Sequence, residues 1–238
     1  MRIRFSTTCL CVLLAATTAA AGLLEALQGF RPGMATEAET PWLPPAAAVR
    51  PLFLGYHALA ADLFWIRTVQ YFGGHIQTDR QFPHLYRLVD LTTSLDPHFV
   101  DAYQLGGLFL SIGRVYPEAA AIYRKGIEHN PDRWELPHDL ARMYFLDLGD
   151  VPAALEWFER TNALPGRPHY VPRLVARLRA RAGLVEAALE MWERLRDTTD
   201  NAWVREAAKR EIRKLQARQR GEAGAAPPVA RPGERGGN

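Results

Sequence analysis

The sequence contains an internal repeat, and its fixed interval restricts the folds that are open to the chain. Asp96-Pro97 recurs as Asn130-Pro131, and Gly107 recurs as Ala141 after the same interval. Gly73 precedes Gly107 by that interval as well. A fixed period of about 34 residues indicates an array of one small unit, because each copy buries its apolar face only against its neighbours. The sequence therefore predicts a repeat array.

The positions within each period predict a helix–turn–helix unit. Tyr103 and Gly107 lie four positions apart in the first helix of one unit, and Glu118–Tyr123 supplies the alanine-rich second helix. Similar runs of small and large residues return at Ala141, Ala153–Phe158 and Glu186–Trp192. In this pattern and in its period the chain resembles the tetratricopeptide-repeat family. The resemblance covers about 66–200 and concerns the fold, not an activity.

The predicted fold is all-α, a tetratricopeptide-type α-α superhelix (solenoid) of about four helical pairs with a C-terminal capping helix. No segment alternates apolar and polar residues with the enrichment in Val, Ile and Thr that is typical of strands. The capping helix is expected over 202–219, with Asn201 as its N-cap.

Composition restricts the class of protein and of partner. Hydrophobic residues make up 48% and charged residues 23% of the chain, which excludes a wholly disordered protein. The net charge of +3 is too small to indicate nucleic-acid binding, so no nucleic acid is expected as a partner. Cys9 and Cys11 are the only cysteines, and the rest of the chain can form neither a disulfide nor a thiolate metal site.

The N-terminus has the layout of an export signal. Arg2 and Arg4 precede an uncharged, largely apolar run from Phe5 to Leu24. Residues 1–24 are predicted to be a signal peptide, cleaved near Ala19-Ala20-Ala21, or an uncleaved signal anchor, since a run of about 20 residues can span a bilayer. The expected location is the bacterial cell envelope. The domain would be periplasmic and anchored in the inner membrane, or secreted to the periplasm if the signal is cleaved.

Composition also divides the rest of the chain. Prolines at positions 32, 41, 44 and 45 predict a linker over 25–50. Residues 51–220 are predicted to form the repeat domain with its capping helix. Residues 221–238 consist mainly of Gly, Ala, Pro and a few charged residues, and they predict a disordered tail.

The sequence indicates no catalytic, cofactor or metal site. None of the seven histidines belongs to an H-E-x-x-H motif, and no two of them lie four positions apart. The chain also lacks a haem-attachment motif, a phosphate-binding loop and a nucleophile elbow. A non-catalytic protein without cofactors is therefore expected.

The family resemblance implies where a partner would bind. In tetratricopeptide arrays the first helix of each unit lines the concave, ligand-binding side. Transferred to this chain, the resemblance places nine residues there: Gln70, Tyr71, Gln104, Leu108, His138, Arg142, Arg173, Arg177 and Arg181. These positions lack the asparagines of the clamp with which chaperone-binding members hold a terminal carboxylate.

Basic charge is concentrated near the C-terminal end of the domain. Residues 173–220 carry a net charge of +6, and Arg173, Arg177 and Arg181 recur at the spacing of one helical face. Two interpretations are open. The arginines form a solvated face, or they bind acidic groups of a protein or peptide partner.

The segment 51–74 is unusually rich in large apolar residues, and His57, Asp62 and Arg67 argue against a membrane span. It is predicted to be a long first helix buried at the N-terminal end of the array, or a docking surface for a partner or the membrane interface.

Two functions are consistent with these features. The first is a non-catalytic scaffold or assembly factor, tethered to the inner membrane through the N-terminal segment or exported, which mediates protein–protein interactions. The second is a chaperone-like maturation factor that holds an unfolded client, similar to the tetratricopeptide proteins of cytochrome c biogenesis.

Overall fold

The computed structural model describes residues 43–221, which are helical with short connections and contain no strand. The predicted signal or anchor (1–24), most of the predicted linker and nearly all of the predicted tail lie outside the described residues. Ten α-helices occur within 43–221: α1 (Ala46–Val49), α2 (His57–Gln77), α3 (Leu85–Leu95), α4 (Val100–Ile112), α5 (Tyr116–His129), α6 (Glu135–Leu146), α7 (Val151–Ala163), α8 (Val171–Arg181), α9 (Val185–Thr198) and α10 (Ala202–Gln219). A 3-10 turn, Arg50–Phe53, precedes α2.

The helices pack in four successive pairs, α2/α3, α4/α5, α6/α7 and α8/α9, followed by α10 against α9. Helices two places apart also touch, since α4 contacts α6 and α3 contacts α5. This is the packing of a tetratricopeptide-type solenoid, in which first helices line one side and second helices the other. The predicted fold of about four helical pairs with a capping helix is confirmed.

Two glycines and two tyrosines set the distance between α4 and α5. A Cβ placed on Gly107 would lie 2.6 Å from Cε2 of Tyr123, and a Cβ on Gly126 would lie 2.8 Å from Cγ of Tyr103. Both tyrosine rings are fully buried. The Tyr103 hydroxyl donates to the Thr93 carbonyl and the Tyr123 hydroxyl to the Gln104 carbonyl, each at 3.3 Å. Each helix therefore receives the ring of the other where a side chain is missing.

Gly73 does not share this role, although it stands one full period before Gly107. A Cβ on Gly73 would meet no atom within 4 Å. The buried residues of α2 are Ala60, Ala61 and Thr68. A period of about 34 residues would place the counterpart of the buried Tyr103 one position after Thr68. The repeat therefore holds in α4–α7 and shifts by one residue in α2, where the match of Gly73 is coincidental.

Aromatic side chains join α2 to the second pair. The ring of Phe109 in α4 stacks on Phe72 at 4.0 Å and on Trp65 at 6.1 Å between ring centroids. Trp65 also meets the edge of Phe99 at 5.9 Å. Stacked and edge-to-face rings at these distances contribute about 0.5–1.5 kcal/mol per pair beyond their burial. One side of the aromatic segment 51–74 is thus part of the core, as expected for a first helix buried at the N-terminal end of the array.

The second helices α3 and α5 are joined by a polar cluster around one ammonium group. Lys125 Nζ donates to Asp90 Oδ1 at 2.7 Å, to Ser94 Oγ at 2.7 Å and to Thr93 Oγ1 at 3.0 Å. The three donors of a lysine ammonium are thereby satisfied across two consecutive pairs. This contact sets the spacing of the pairs on the side opposite the first helices.

The packed domain begins earlier than the sequence predicts. Leu43 and Val49 are buried in one cluster with Leu88, Leu91 and Leu95 of α3. The end of the predicted linker, from Leu43 onward, therefore belongs to the domain. Its prolines do not prevent this, because Pro45 directly precedes α1, where its missing N–H is not needed for a helical hydrogen bond.

The capping helix begins where the sequence predicts. Asn201 Oδ1 accepts hydrogen bonds from the backbone N–H groups of Trp203 at 3.0 Å and Val204 at 3.3 Å. These bonds satisfy two of the free amide groups that open α10. Ala208 and Ile212 of α10 then pack on Trp192 of α9, which closes the last apolar cluster.

Alanine substitutions at two glycines test the reciprocal contact. Gly107→Ala should lower the free energy of unfolding by about 1–2 kcal/mol, because overpacking against the Tyr123 ring outweighs the gain in helix propensity. Gly73→Ala should raise it by up to about 1 kcal/mol, because the methyl group enters open space in the same kind of helix. Urea unfolding of both variants measures the difference. Equal effects would contradict the assigned contact.

Candidate partner-binding groove

The first helices α4, α6 and α8 carry interacting polar side chains on one side, here called the first-helix face. Gln104 of α4 donates from Nε2 to Asp139 Oδ2 of α6 at 2.9 Å. Arg142 lies one turn further along α6, with its Nε 3.7 Å from Asp139 Oδ1. Gln104 and Arg142 belong to different repeats, and both are predicted to line the groove. The carboxylate of Asp139, which the sequence does not predict there, brings them together.

His138 extends this network to the next repeat. Its Nε2 shares a hydrogen bond of 2.6 Å with the Tyr170 hydroxyl, and its Nδ1 lies 3.3 Å from Asp139 Oδ1. Burial raises the pKa of the Tyr170 hydroxyl, and the Asp139 carboxylate adds to the rise. Because both nitrogens of His138 have partners within the chain, its ring is held in one orientation on the face.

A small open cleft of about 110 Å³ lies on the same face between α4 and α6. Apolar side chains of Leu108, Ile112 and Leu146 line it together with the charged groups of Asp139, Arg142 and Asp147. Ile112 is 48% and Leu146 65% exposed, so both side chains are open to a partner. The cleft can receive an apolar side chain of a partner beside a charged group.

The three predicted arginines of α8 differ in their surroundings. The guanidinium of Arg173 lies over the ring of Trp203 at 5.2 Å, and that of Arg181 lies over Phe145 of α6 at 5.7 Å. Arg177, between them, is exposed and has no hydrogen bond or ion pair among the described residues. Rings orient a guanidinium without neutralising it, so all three positive charges remain available on this side.

The two predicted residues of α2 do not join the network. Gln70 is exposed, whereas Tyr71 is half-buried between α2 and the start of α3. The Tyr71 hydroxyl accepts a hydrogen bond from the backbone N–H of His84 at 3.3 Å, and its ring lies 4.4 Å from that of His75. Burial raises the pKa of Tyr71. The one-residue shift of the repeat in α2 turns this side chain inward.

Asp139 and Tyr170 are the polar residues of the hydrogen-bonded network on this face that the sequence does not single out. Asp139 had one recognisable signal, its position three residues before Arg142, where opposite charges meet on a helix. Tyr170 had none, because it directly precedes α8 and meets His138 only through the packing of α6 on α8.

Two further searches concern only the part of the chain from 43 to 221. No group of three His, Cys, Asp or Glu side chains there is placed to hold a metal ion. No helix in this range combines the length and hydropathy needed to cross a bilayer.

Comparisons with known proteins identify no family for the chain. No protein-family model matches it, and no curated protein matches it significantly. Among solved structures, a crystal structure of MamA protein is 15% identical and has a TM-score of 0.42, and the match covers 73% of this chain and 100% of that one. A structure of MamA MSR-1 C2 is also 15% identical, with a TM-score of 0.33 and coverage of 74% and 99%.

The surroundings of the arginines predict unequal effects on stability. Arg173→Ala should lower the free energy of unfolding by about 0.5–1 kcal/mol, because the contact with the Trp203 ring is lost. Arg177→Ala should change it by no more than a few tenths of a kcal/mol, since an exposed side chain without partners is removed. Chemical denaturation of both variants in the same buffer checks this. A larger loss for Arg177→Ala would contradict the described geometry.

Proposed function

We propose that this chain is a non-catalytic scaffold of the bacterial cell envelope, tethered to the inner membrane, which binds a protein segment that carries an acidic group next to an apolar side chain. The observation that carries the proposal is a cleft on the first-helix face that combines exposed apolar side chains with Arg142, followed in the next first helix by the exposed Arg177.

The apolar part of the ligand is inferred from the cleft. Leu108, Ile112 and Leu146 line it, and the last two of these side chains are largely exposed to solvent. Burying a leucine-sized side chain among them contributes about 1.5–3 kcal/mol. An apolar cleft with a few convergent polar groups is the usual form of a ligand site.

The acidic part is inferred from the balance of charge around the cleft. Asp139 and Asp147 both line the cleft beside Arg142, whose side chain remains 42% exposed, so an acidic group of the partner is expected outside the cleft, toward the next first helix. Arg177 in the next first helix has no such carboxylate, and Arg173 and Arg181 flank it at helical spacing. A partner carboxylate bound by Arg177 and reaching Arg142 would form charge-assisted, bidentate hydrogen bonds.

The tether is inferred from the sequence of the N-terminal segment. Its two arginines and the uncharged run that follows support export with the positive end in the cytoplasm. The short linker would then hold the groove close to the membrane, where a scaffold meets other envelope proteins.

Peptides selected from a random display library on the purified chain test the groove. We expect enriched sequences to place Asp or Glu next to Leu, Ile or Phe. The double variant Arg142→Gln/Arg177→Gln should bind the best peptide at least about a hundredfold more weakly, since hydrogen bonds to charged groups contribute about 1.5–3 kcal/mol each. Binding of the unaltered chain should weaken as salt increases.

Arg160→Gln/Arg194→Gln is the matched control, because Arg160 and Arg194 are exposed on the second helices α7 and α9 and the substitutions also remove two positive charges. Its affinity should equal that of the unaltered chain. Equal affinities for the control and for the variant that lacks Arg142 and Arg177 would contradict a groove for acidic ligands. Selected peptides without acidic residues would contradict the acidic specificity but not the role as a scaffold.

A chaperone-like maturation factor is the second candidate, favoured by the number of exposed leucines and isoleucines on α2, α4 and α6. A holding factor would bind unfolded chains through such side chains and release them on folding. The lifetime of the complex separates the candidates. A stable complex with a folded partner indicates a scaffold, whereas a short-lived complex formed only with unfolded protein indicates a chaperone.

A further inference from the structure

The three most exposed large apolar side chains of the described residues, those of Leu54, Leu52 and Tyr56, lie together at the N-terminal end of the domain, and a further exposed leucine, Leu59, follows within one turn. Leu54 is 87% exposed, Leu52 77%, Tyr56 71% and Leu59 53%. These four residues, here called the apolar turn, connect the 3-10 turn to the first turn of α2. Single exposed leucines are ordinary on protein surfaces, but four large apolar residues within eight positions are a surface feature that requires a partner.

The apolar turn has a fixed backbone. Phe53 packs inward against the cluster of Val49 and Leu88, and its carbonyl accepts a hydrogen bond of 2.7 Å from Tyr56 N–H. Leu54 has φ 45° and ψ 38°, in the left-handed region that a leucine rarely adopts, and Gly55 follows with φ 96°. The 3-10 turn that precedes it is itself joined to α3, because its first residue donates from Nη2 to the Ser94 carbonyl at 2.7 Å.

The shape of the apolar turn argues against a protein partner. Leu54 and Leu52 are 87% and 77% exposed on a short turn, and unlike Ile112 and Leu146 they do not line the cleft on the first-helix face. Stable protein interfaces bury roughly 800 Å² on each partner, with close packing at their centre. Protruding leucines suit a fluid apolar phase, which closes around each side chain separately.

The position of the apolar turn along the chain indicates which fluid phase is near. The described chain enters the domain at Leu43, and the predicted apolar segment ends at Leu24. The stretch 25–42 between them spans at most about 65 Å when fully extended. If the N-terminal segment anchors the chain, Leu43 lies within that distance of the bilayer, and the apolar turn begins nine residues later, at the end of the domain where the tether enters.

We infer that the apolar turn inserts into the interfacial layer of the bilayer that holds the N-terminal segment, an inference that rests on the proposed tether. Leu52, Leu54 and Leu59 enter the outer acyl region, and the amphipathic ring of Tyr56 lies at the level of the headgroups. Exposed Asp62, one turn after Leu59, stays in water and limits the depth of insertion to the start of α2. The domain is thereby oriented on the membrane as well as tethered to it.

Nitroxide accessibility in the full chain tests the insertion. With Cys9→Ala and Cys11→Ala as background, the chain is placed in lipid nanodiscs of phosphatidylcholine and phosphatidylglycerol and spin-labelled at Leu54→Cys. Leu184→Cys is the matched control, a leucine 49% exposed in the turn between α8 and α9. Collisions with oxygen, which partitions into lipid, are compared with collisions with a water-soluble nickel chelate.

The ratio of oxygen to nickel collisions should be several-fold higher at position 54 than at position 184. Equal ratios would overturn the insertion. Protection of position 54 from both reagents, with spin–spin broadening that disappears on dilution with unlabelled chain, would overturn it in favour of contact between two copies. Retention of the chain in the discs after an alkaline wash reports on the tether separately. A retained chain with a water-exposed label at 54 refutes the insertion alone, and a chain that is not retained refutes the tether as well.

Discussion

The reciprocal fit of two glycines and two tyrosines between α4 and α5 is the contact on which the rest of the array depends. The ring of Tyr123 occupies the space at Gly107, and the ring of Tyr103 occupies the space at Gly126. With both rings fully buried, neither helix can move away without opening a cavity or approach without a clash. This pair therefore has one defined separation, and its neighbours on either side are positioned from it.

Different contacts position the neighbouring helical pairs on the two sides of the array. On the side of the second helices, the ammonium of Lys125 in α5 is held by oxygen atoms of α3. On the side of the first helices, Gln104 of α4 bonds to Asp139 of α6, and His138 bonds to Tyr170 at the start of α8. The polar network of the candidate groove is thus also a structural contact between repeats. A partner that binds an arginine of this face meets a surface whose shape is already held in place.

The sequence predicts the architecture well because the same pattern of small and large residues occurs in several repeats. The period predicts the helical pairs, and Asn201 predicts the start of the capping helix, which the structure confirms. The prediction was weakest in the first pair. Gly73 and Tyr71 were aligned by period alone, and the one-residue shift of α2 leaves Gly73 in open space and turns Tyr71 inward. A terminal repeat lacks a preceding neighbour, so its register is not constrained on that side.

The helices and the positions of the small residues along them follow from the sequence, because helical period and small-residue spacing are local properties. Which side chains meet across repeats depends on how the helices pack. Three features depend on the angle and distance between helices that are far apart in the chain. Asp139 lies between Gln104 and Arg142, aromatic rings lie under Arg173 and Arg181 of α8, and Arg177 of the same helix is exposed. The exposure of Leu52 and Leu54 likewise follows from where α1 and α2 pack, since the same apolar residues are equally compatible with a buried end of the array.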